Sequence, residues 1–283
     1  MADTLAAPRG FATNGPMELE IEYNNRARVP DHAAAIASWQ RDAAAWRASC
    51  PRAELDLAYG GGARERLDLF HPAAAGDAPV ALFIHGGYWK ALDRSFASHC
   101  ARGLNLRGVA VAVPSYDLCP AVGIEAIVAQ MRAACRALHA RTGRRLLAMG
   151  HSAGGHLAAM LLATDWRGLD PALPADLVQA ALPISGVFEL EPLLATTVAE
   201  GLNLTAGTAR ALSPRFMPSP GRPLHCAVGG AESGEFIRQS RDMAAAWGGS
   251  FETVPGADHF RVIAPLADPG SGLVARAEQL ARS

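Results

Sequence analysis

The chain has 283 residues, 50% of them hydrophobic and 19% charged, with a formal net charge of -1. That length fits one large α/β domain or two small ones, and no composition shift marks a linker between two cores, so one domain with an insertion is expected. Near-neutrality without a basic cluster excludes nucleic acid and an anionic membrane surface as partners, and no apolar run reaches the roughly 20 residues that span a bilayer.

Residues 1–22 read as a flexible N-terminus, rich in Ala, Gly and Pro at its start. An early Asp3 and the lack of a continuous apolar core argue against a secretory signal, which predicts a cytoplasmic protein. Cys50, Cys100, Cys119, Cys135 and Cys226 form an odd set with no CxxC, the pattern of reduced thiols used as small core hydrophobes. After Tyr23-Asn24-Asn25-Arg26, residues 32–49 place Ile36, Trp39 and Trp46 at near-helical spacing behind Asp31, a candidate cap. The tryptophans read as a packing stripe in preference to a pocket wall.

Residues 55–59 and 65–70 alternate apolar with polar around Gly60-Gly61-Gly62, a hairpin signal; no GK[ST] follows, so the glycines are not a phosphate loop. Residues 80–84 read as a buried strand running into His85-Gly86-Gly87-Tyr88-Trp89. A helix over 95–106, a strand over 109–114, a helix over 124–140 and a strand over 146–149 follow. Such alternation predicts an α/β fold, a mainly parallel sheet with helices on both faces. Residues 177–184 are another strand, and 189–223 a proline-rich stretch without strand character, of the kind that builds a cap over a site. A strand over 224–228, a helix over 234–247, a strand over 251–254 and a helix over 271–281 complete residues 23–283 as a single domain.

The chemistry centres on Gly150-His151-Ser152-Ala153-Gly154, a GxSxG between a strand and a helix. A serine on such a turn is strained and exposed, and only small neighbours tolerate the conformation. The alternative is an N-capping serine at an ordinary junction. A serine nucleophile needs a base and an orienting acid. Downstream histidines are His156, on the elbow helix, His225, at a strand start, and His259, in a Gly-containing loop; His259 is the candidate base. For the acid, Glu232 ranks first, just past a strand end where open α/β sheets place their sites, then Glu235, then Asp258. The Ala153 N–H and those of Gly86 and Gly87 are candidate oxyanion donors.

HGGYW at 85–89, GHSAGGHLA at 150–158, ESGEFIRQS at 232–240, DHF at 258–260 and YNNRARVPDH at 23–32 together resemble the serine-type kynurenine formamidases, within the hormone-sensitive-lipase-like group of α/β hydrolases. The resemblance runs from about residue 23 to the C-terminus. It implies an α/β-hydrolase fold and an enzyme that removes a short acyl group, formyl or acetyl, from an aryl amide or ester. It also implies Ser152 as nucleophile, His259 as base, Glu232 as acid where the formamidases carry aspartate, and Gly86, Gly87 and Ala153 as the oxyanion loop. A general small-ester carboxylesterase and a non-catalytic ligand-binding relative are the alternatives. Trp89, Tyr88 and His85 are expected beside the substrate, with the Trp89 indole limiting acyl length unless it faces the core. No HxH or HExxH spacing is present, so no metal and no cofactor are expected. The expected partner is a small acyl amide or ester, and a homodimer is compatible with the sequence.

Overall fold

The computed structural model describes residues 15–74 and 76–283. Three helices come first, α1 (Pro16–Tyr23), α2 (Asn25–Arg28) and α3 (His32–Ser49), followed by strands β1 (Ala53–Ala58), β2 (Arg66–Phe70) and β3 (Val80–Ile84). Helix α4 (Arg102–Leu106), β4 (Ala110–Pro114), α5 (Ile124–Thr142), β5 (Leu146–His151) and α6 (Ala153–Leu162) build the centre. The chain continues through α7 (Trp166–Leu169), β6 (Val178–Ile184), α8 (Ala206–Ala211), β7 (His225–Gly229), α9 (Gly234–Trp247), β8 (Ser250–Val254) and α10 (Gly272–Ala281). The helix expected over 95–106 is instead two 3-10 turns leading into the five residues of α4.

The eight strands form one sheet in the order β1-β2-β4-β3-β5-β6-β7-β8. The β1/β2 and β2/β4 pairs are antiparallel, and the remaining pairs are parallel. Strand side chains alternate between faces, and both faces are covered. Leu82, Leu146 and Ala148 pack with Met131 and Leu157 of α5 and α6, while Ala81, Phe83, Leu147 and Met149 pack with Trp39 and Val274 of α3 and α10. From β3 the chain runs to β4 on one side, then crosses back to β5 on the other. That reversal opens a crevice at the strands' C-terminal ends.

The expectation of a flexible segment over 1–22 is corrected for residues 15–22, and its first 14 residues lie outside the described ones. Residues 16–23 are helical because Tyr23 is buried and bonded at both ends. Its hydroxyl donates to Glu235 Oε2 at 2.8 Å and accepts from Gln239 Nε2 at 2.6 Å, and its carbonyl accepts from Tyr88 Oη at 2.7 Å. Glu20 accepts from the Thr197 N–H and hydroxyl, which ties α1 to the insertion. The insertion over 189–223 consists of 3-10 turns and α8. Tyr23→Phe is expected to cost about 1–3 kcal/mol, because it strips a buried carboxylate and amide of their shared partner, and to appear as a lower denaturation midpoint with an unchanged m-value.

Candidate active site

Ser152 lies between β5 and α6 with φ 56° and ψ -118°, and its side chain makes no cap hydrogen bond, which sets aside the N-capping role. A non-glycine residue at positive φ costs of order 1–3 kcal/mol and persists only where its surroundings over-determine it. Here they are backbone packed on backbone. A Cβ on Gly150 would lie 2.2 Å from Gly154 O, and one on Gly154 would lie 2.0 Å from Ile84 O. Any side chain at either position would push β3, β5 and α6 apart.

The parallel register Ile84↔Gly150 brings the loop after β3 beside the serine. A Cβ on Gly86 would sit 2.9 Å from His151 O and 3.1 Å from Ser152 Cβ, and Gly87 has φ 104°, so the loop needs both glycines. Ala153 is the first residue of α6, whose opening N–H groups have no intrahelical acceptor. Neither its N–H nor that of Gly87 donates to a described backbone acceptor. Two free donors thus flank the serine, the arrangement a developing oxyanion requires.

The acid and base loops leave neighbouring parallel strands, β7 and β8, paired at Gly229↔Val254. His259 Nδ1 donates to Glu232 Oε2 at 2.6 Å. Glu232 Oε1 accepts from Gly229 N at 2.8 Å and from the Ser185 hydroxyl, so the buried carboxylate is fully bonded and its rotamer fixed. Ser185, itself at φ 51°, was not singled out from sequence; its only local sign is the Ser185-Gly186 pair ending β6. With Nδ1–H committed to the carboxylate, Nε2 is the free nitrogen of His259. Ser152 and His259 share the wall of one cavity, and no hydrogen bond joins them in the structure. Such links often tighten only with substrate bound.

The other candidates are occupied elsewhere. Glu235 is held by Tyr23 and Arg238. Asp258 accepts from the N–H groups of Phe260 and Arg261 and pairs with the Arg261 side chain, which also takes Asp31, so Asp31 makes no side-chain cap on α3. His156 Nε2 donates to Leu212 O, and His225 bonds Ser250. His151 Nε2 donates to the His259 carbonyl at 2.8 Å, with the two rings 4.7 Å apart. Burial, then the His259 charge, hold the His151 pKa well below its usual value, so the donor is a neutral imidazole.

The cavity, of about 390 Å³, is lined by Tyr23, Trp39, Tyr88 and Phe260 as aromatic walls, and by Gly87, Leu92, Asn25, Arg26, Lys90 and Val198 among others. Tyr88 is where the sequence places it; Trp89 and His85 are not. Trp89 is fully buried behind the loop, edge-on to His156 at 5.1 Å, because its φ of 56° turns the indole into the core. His85 is buried, stacked on Tyr116 at 4.3 Å, with Nδ1 donating to Gly86 O, so it shapes the loop from behind. Trp39 is corrected in the opposite sense: it packs on Phe260 and also faces the cavity, while Trp46 packs on Phe70. Among the described residues no group of three or more His, Cys, Asp or Glu could hold a metal ion.

Glu232→Gln is expected to lower kcat by up to about 10⁴, since an amide can select the wrong histidine tautomer, with Asp258→Asn and Glu235→Gln doing far less. Trp89→Ala is expected to cost about 3–5 kcal/mol in unfolding free energy, without admitting longer acyl chains, because the indole fills core. Burial pushes His85, His99 and His156 down to about 4. The unfolded chain, with histidines near 6.5, therefore binds protons that the folded chain refuses between about pH 6.5 and 4. Stability is expected to be fully present above that window and to fall as pH drops through it. His156→Gln should reduce the slope of unfolding free energy against pH by about one proton.

The BD-FAE family model matches residues 67–187. The kynurenine formamidase of Danio rerio is 31% identical over 270 residues, 89% of this chain and 91% of that one. That of Salmo salar is 34% identical over 229 residues, 76% and 77% of the two chains. A crystal structure of a Silicibacter sp. TM1040 protein, provisionally called a thioesterase, superposes with a TM-score of 0.85 at 38% identity, covering 91% of this chain and 98% of that one. The esterase of Pyrobaculum calidifontis, at 19% identity and TM-score 0.67 over 89% and 92% of the chains, shares the fold. With its sheet order, elbow and paired acid and base loops already in place, the chain is a hydrolase of the α/β-hydrolase fold and belongs to the kynurenine formamidase family.

Proposed function

We propose that the protein is a serine hydrolase that cleaves formyl or acetyl groups from aryl amides or esters through an acyl-enzyme. The observation that carries this reading is the convergence on one aromatic-walled cavity of a strained serine, a histidine bonded to a buried glutamate, and Gly87 with its free N–H, the unbonded Ala153 N–H being next to the serine in the chain. Ser152 Oγ attacks the acyl carbon while His259 Nε2 takes its proton. The oxyanion is held by the Ala153 and Gly87 N–H groups, with Gly86 keeping the loop close. On collapse, His259 returns the proton to the leaving amine or alcohol, which departs along the Tyr23, Trp39, Tyr88 and Phe260 walls. Water, deprotonated by His259, then attacks the acyl-enzyme, and the short carboxylic acid leaves. Five buried free cysteines suit the reducing cytoplasm we propose as its location.

A second reading, a small-ester or thioester hydrolase, is favoured by the 38% identity to the protein provisionally called a thioesterase. Turnover of N-formylkynurenine beside p-nitrophenyl acetate separates the two: an arylformamidase processes both, an esterase only the second. Ser152→Ala should abolish turnover of either, by on the order of 10⁶ in kcat, and retention of a tenth of the activity would remove Ser152 from the mechanism. Among p-nitrophenyl esters, kcat/KM is expected to fall from acetate to butyrate to octanoate; a preference for octanoate would reject the short-acyl reading.

A further inference from the structure

With the Trp89 indole in the core, the acyl end of the cavity is bounded by another side chain. In the tetrahedral intermediate the leaving atom has to face His259 Nε2, which protonates it, and the oxyanion has to face the Ala153 and Gly87 N–H groups. The acyl substituent is then directed away from His259 and its neighbour Phe260, along the loop that follows β3. That loop lends the cavity Gly87, Tyr88, Lys90, Ala91 and Leu92. The Tyr88 hydroxyl donates to Tyr23 O and the Lys90 ammonium to Val198 O and Glu200 O, so both side chains run toward α1 and the insertion. Ala91 offers a single methyl group. Leu92 is the one branched apolar side chain the loop places there.

Leu92 is held in that place against its own backbone preference. The Lys90 and Ala91 N–H groups donate to Gly87 O at 3.0 and 3.1 Å, a tight turn that folds the chain back on its own start. A Cβ on Gly87 would lie 3.4 Å from Leu92 Cγ, so the isobutyl group stands beside the residue that donates to the oxyanion. The turn leaves Leu92 at φ 72°, a left-handed conformation that leucine adopts only where its surroundings impose it. Arg64, from the turn between β1 and β2, fixes it from behind: Nη2 donates to Leu92 O at 2.5 Å, and Nε to Tyr116 O at 2.7 Å. The side chain itself is half-buried, packed on the cluster that contains Trp39 and Phe83 and open to the cavity on its other side. Strain of this kind at a ligand cavity points to a positioning demand on the side chain.

We propose that Leu92 is the residue that limits acyl length, its isobutyl group closing the cavity just beyond a formyl hydrogen or an acetyl methyl. The assignment rests on the short-acyl reading and names the side chain that enforces it. The substituent accepted there is small and uncharged, because leucine and alanine present only carbon to it. Discrimination is steric, and a side chain pinned at both its backbone and its inner face cannot swing aside for a longer chain as a loosely held one would.

The test measures kcat/KM of the full chain for p-nitrophenyl formate, acetate, butyrate and octanoate, the formate corrected for its spontaneous hydrolysis, so that only the acyl group varies. Leu92→Ala should raise the butyrate-to-acetate ratio by about ten- to hundredfold. Leu92→Gly, which accepts φ 72° without strain, should do the same, so the result does not hang on whether the alanine variant folds. Leu92→Phe should lower the acetate-to-formate ratio by about tenfold, and Leu92→Met, similar in volume, should keep the wild-type order. The ratio of 1-naphthyl acetate to phenyl acetate, which varies only the leaving group, should respond to Trp39→Ala and not to Leu92→Ala. A steep wild-type decline with chain length that neither Leu92→Ala nor Leu92→Gly relieves would overturn the role of Leu92 and leave the short-acyl reading standing. A shift at Leu92→Ala in the naphthyl ratio alone would overturn it too, by assigning Leu92 to the leaving-group wall. If the wild type prefers octanoate, the short-acyl reading fails; Leu92 then stands if Leu92→Phe imposes the decline, and falls if it does not.

Discussion

The contact on which the site depends is backbone against backbone: Gly150, Gly154 and the end of β3 at Ile84 meet with no space for a single Cβ. That closeness holds Ser152 at φ 56° and sets the Gly86-Gly87 loop against it. Removing the strain would require separating β3, β5 and α6, whose packing is also the centre of the core. The elbow is therefore stabilised by the whole sheet, as strained active-site conformations generally must be.

Hydrogen bonds extend the same rigidity outward. His151 spans from the elbow to the His259 carbonyl, Glu232 is held by three donors on three segments, and Tyr23 joins α1, α9 and the loop after β3. The acid and base are placed by two adjacent strands, so their relative position is as fixed as the β7/β8 register. The part of the cavity wall that the insertion gives, Thr197 and Val198, is held less deeply, by Glu20 to Thr197 and by Lys90 to the carbonyls of Val198 and Glu200.

What could be read in the sequence was what is local or ordered along the chain. The elbow, the strand and helix alternation and the choice of Glu232 over Asp258 followed from motif context and from the position of each residue relative to a strand end. The family resemblance pointed to the same residues for the catalytic trio, and the structure brings Glu232 and His259 into contact and sets Ser152 on the cavity that His259 lines. Side-chain direction was not legible. Trp89 turns inward because of a left-handed backbone at Tyr88 and Trp89 that no residue type there announces, and His85 because it stacks on Tyr116 and bonds Gly86 O. Residues 15–22 are alanine-poor and acidic, but their order comes from Glu235, Gln239 and Thr197, far along the chain. Ser185 was missed for the same reason, since its role exists only once distant segments meet.

The two consecutive positive-φ residues after Gly87 separate two kinds of change open to this fold. Side chains at 88 and 89 sit on a backbone that disfavours β-branched residues, and the glycines around them admit no substitution, so the catalytic loop is nearly closed to variation. The opposite wall is carried by the short helix α2 and its cap, through Asn24, Asn25 and Arg26, and by Ile36 and Trp39 of α3. Lineages can therefore exchange one leaving group for another by drift in residues 24–36, with the hydrolytic machinery inherited unchanged.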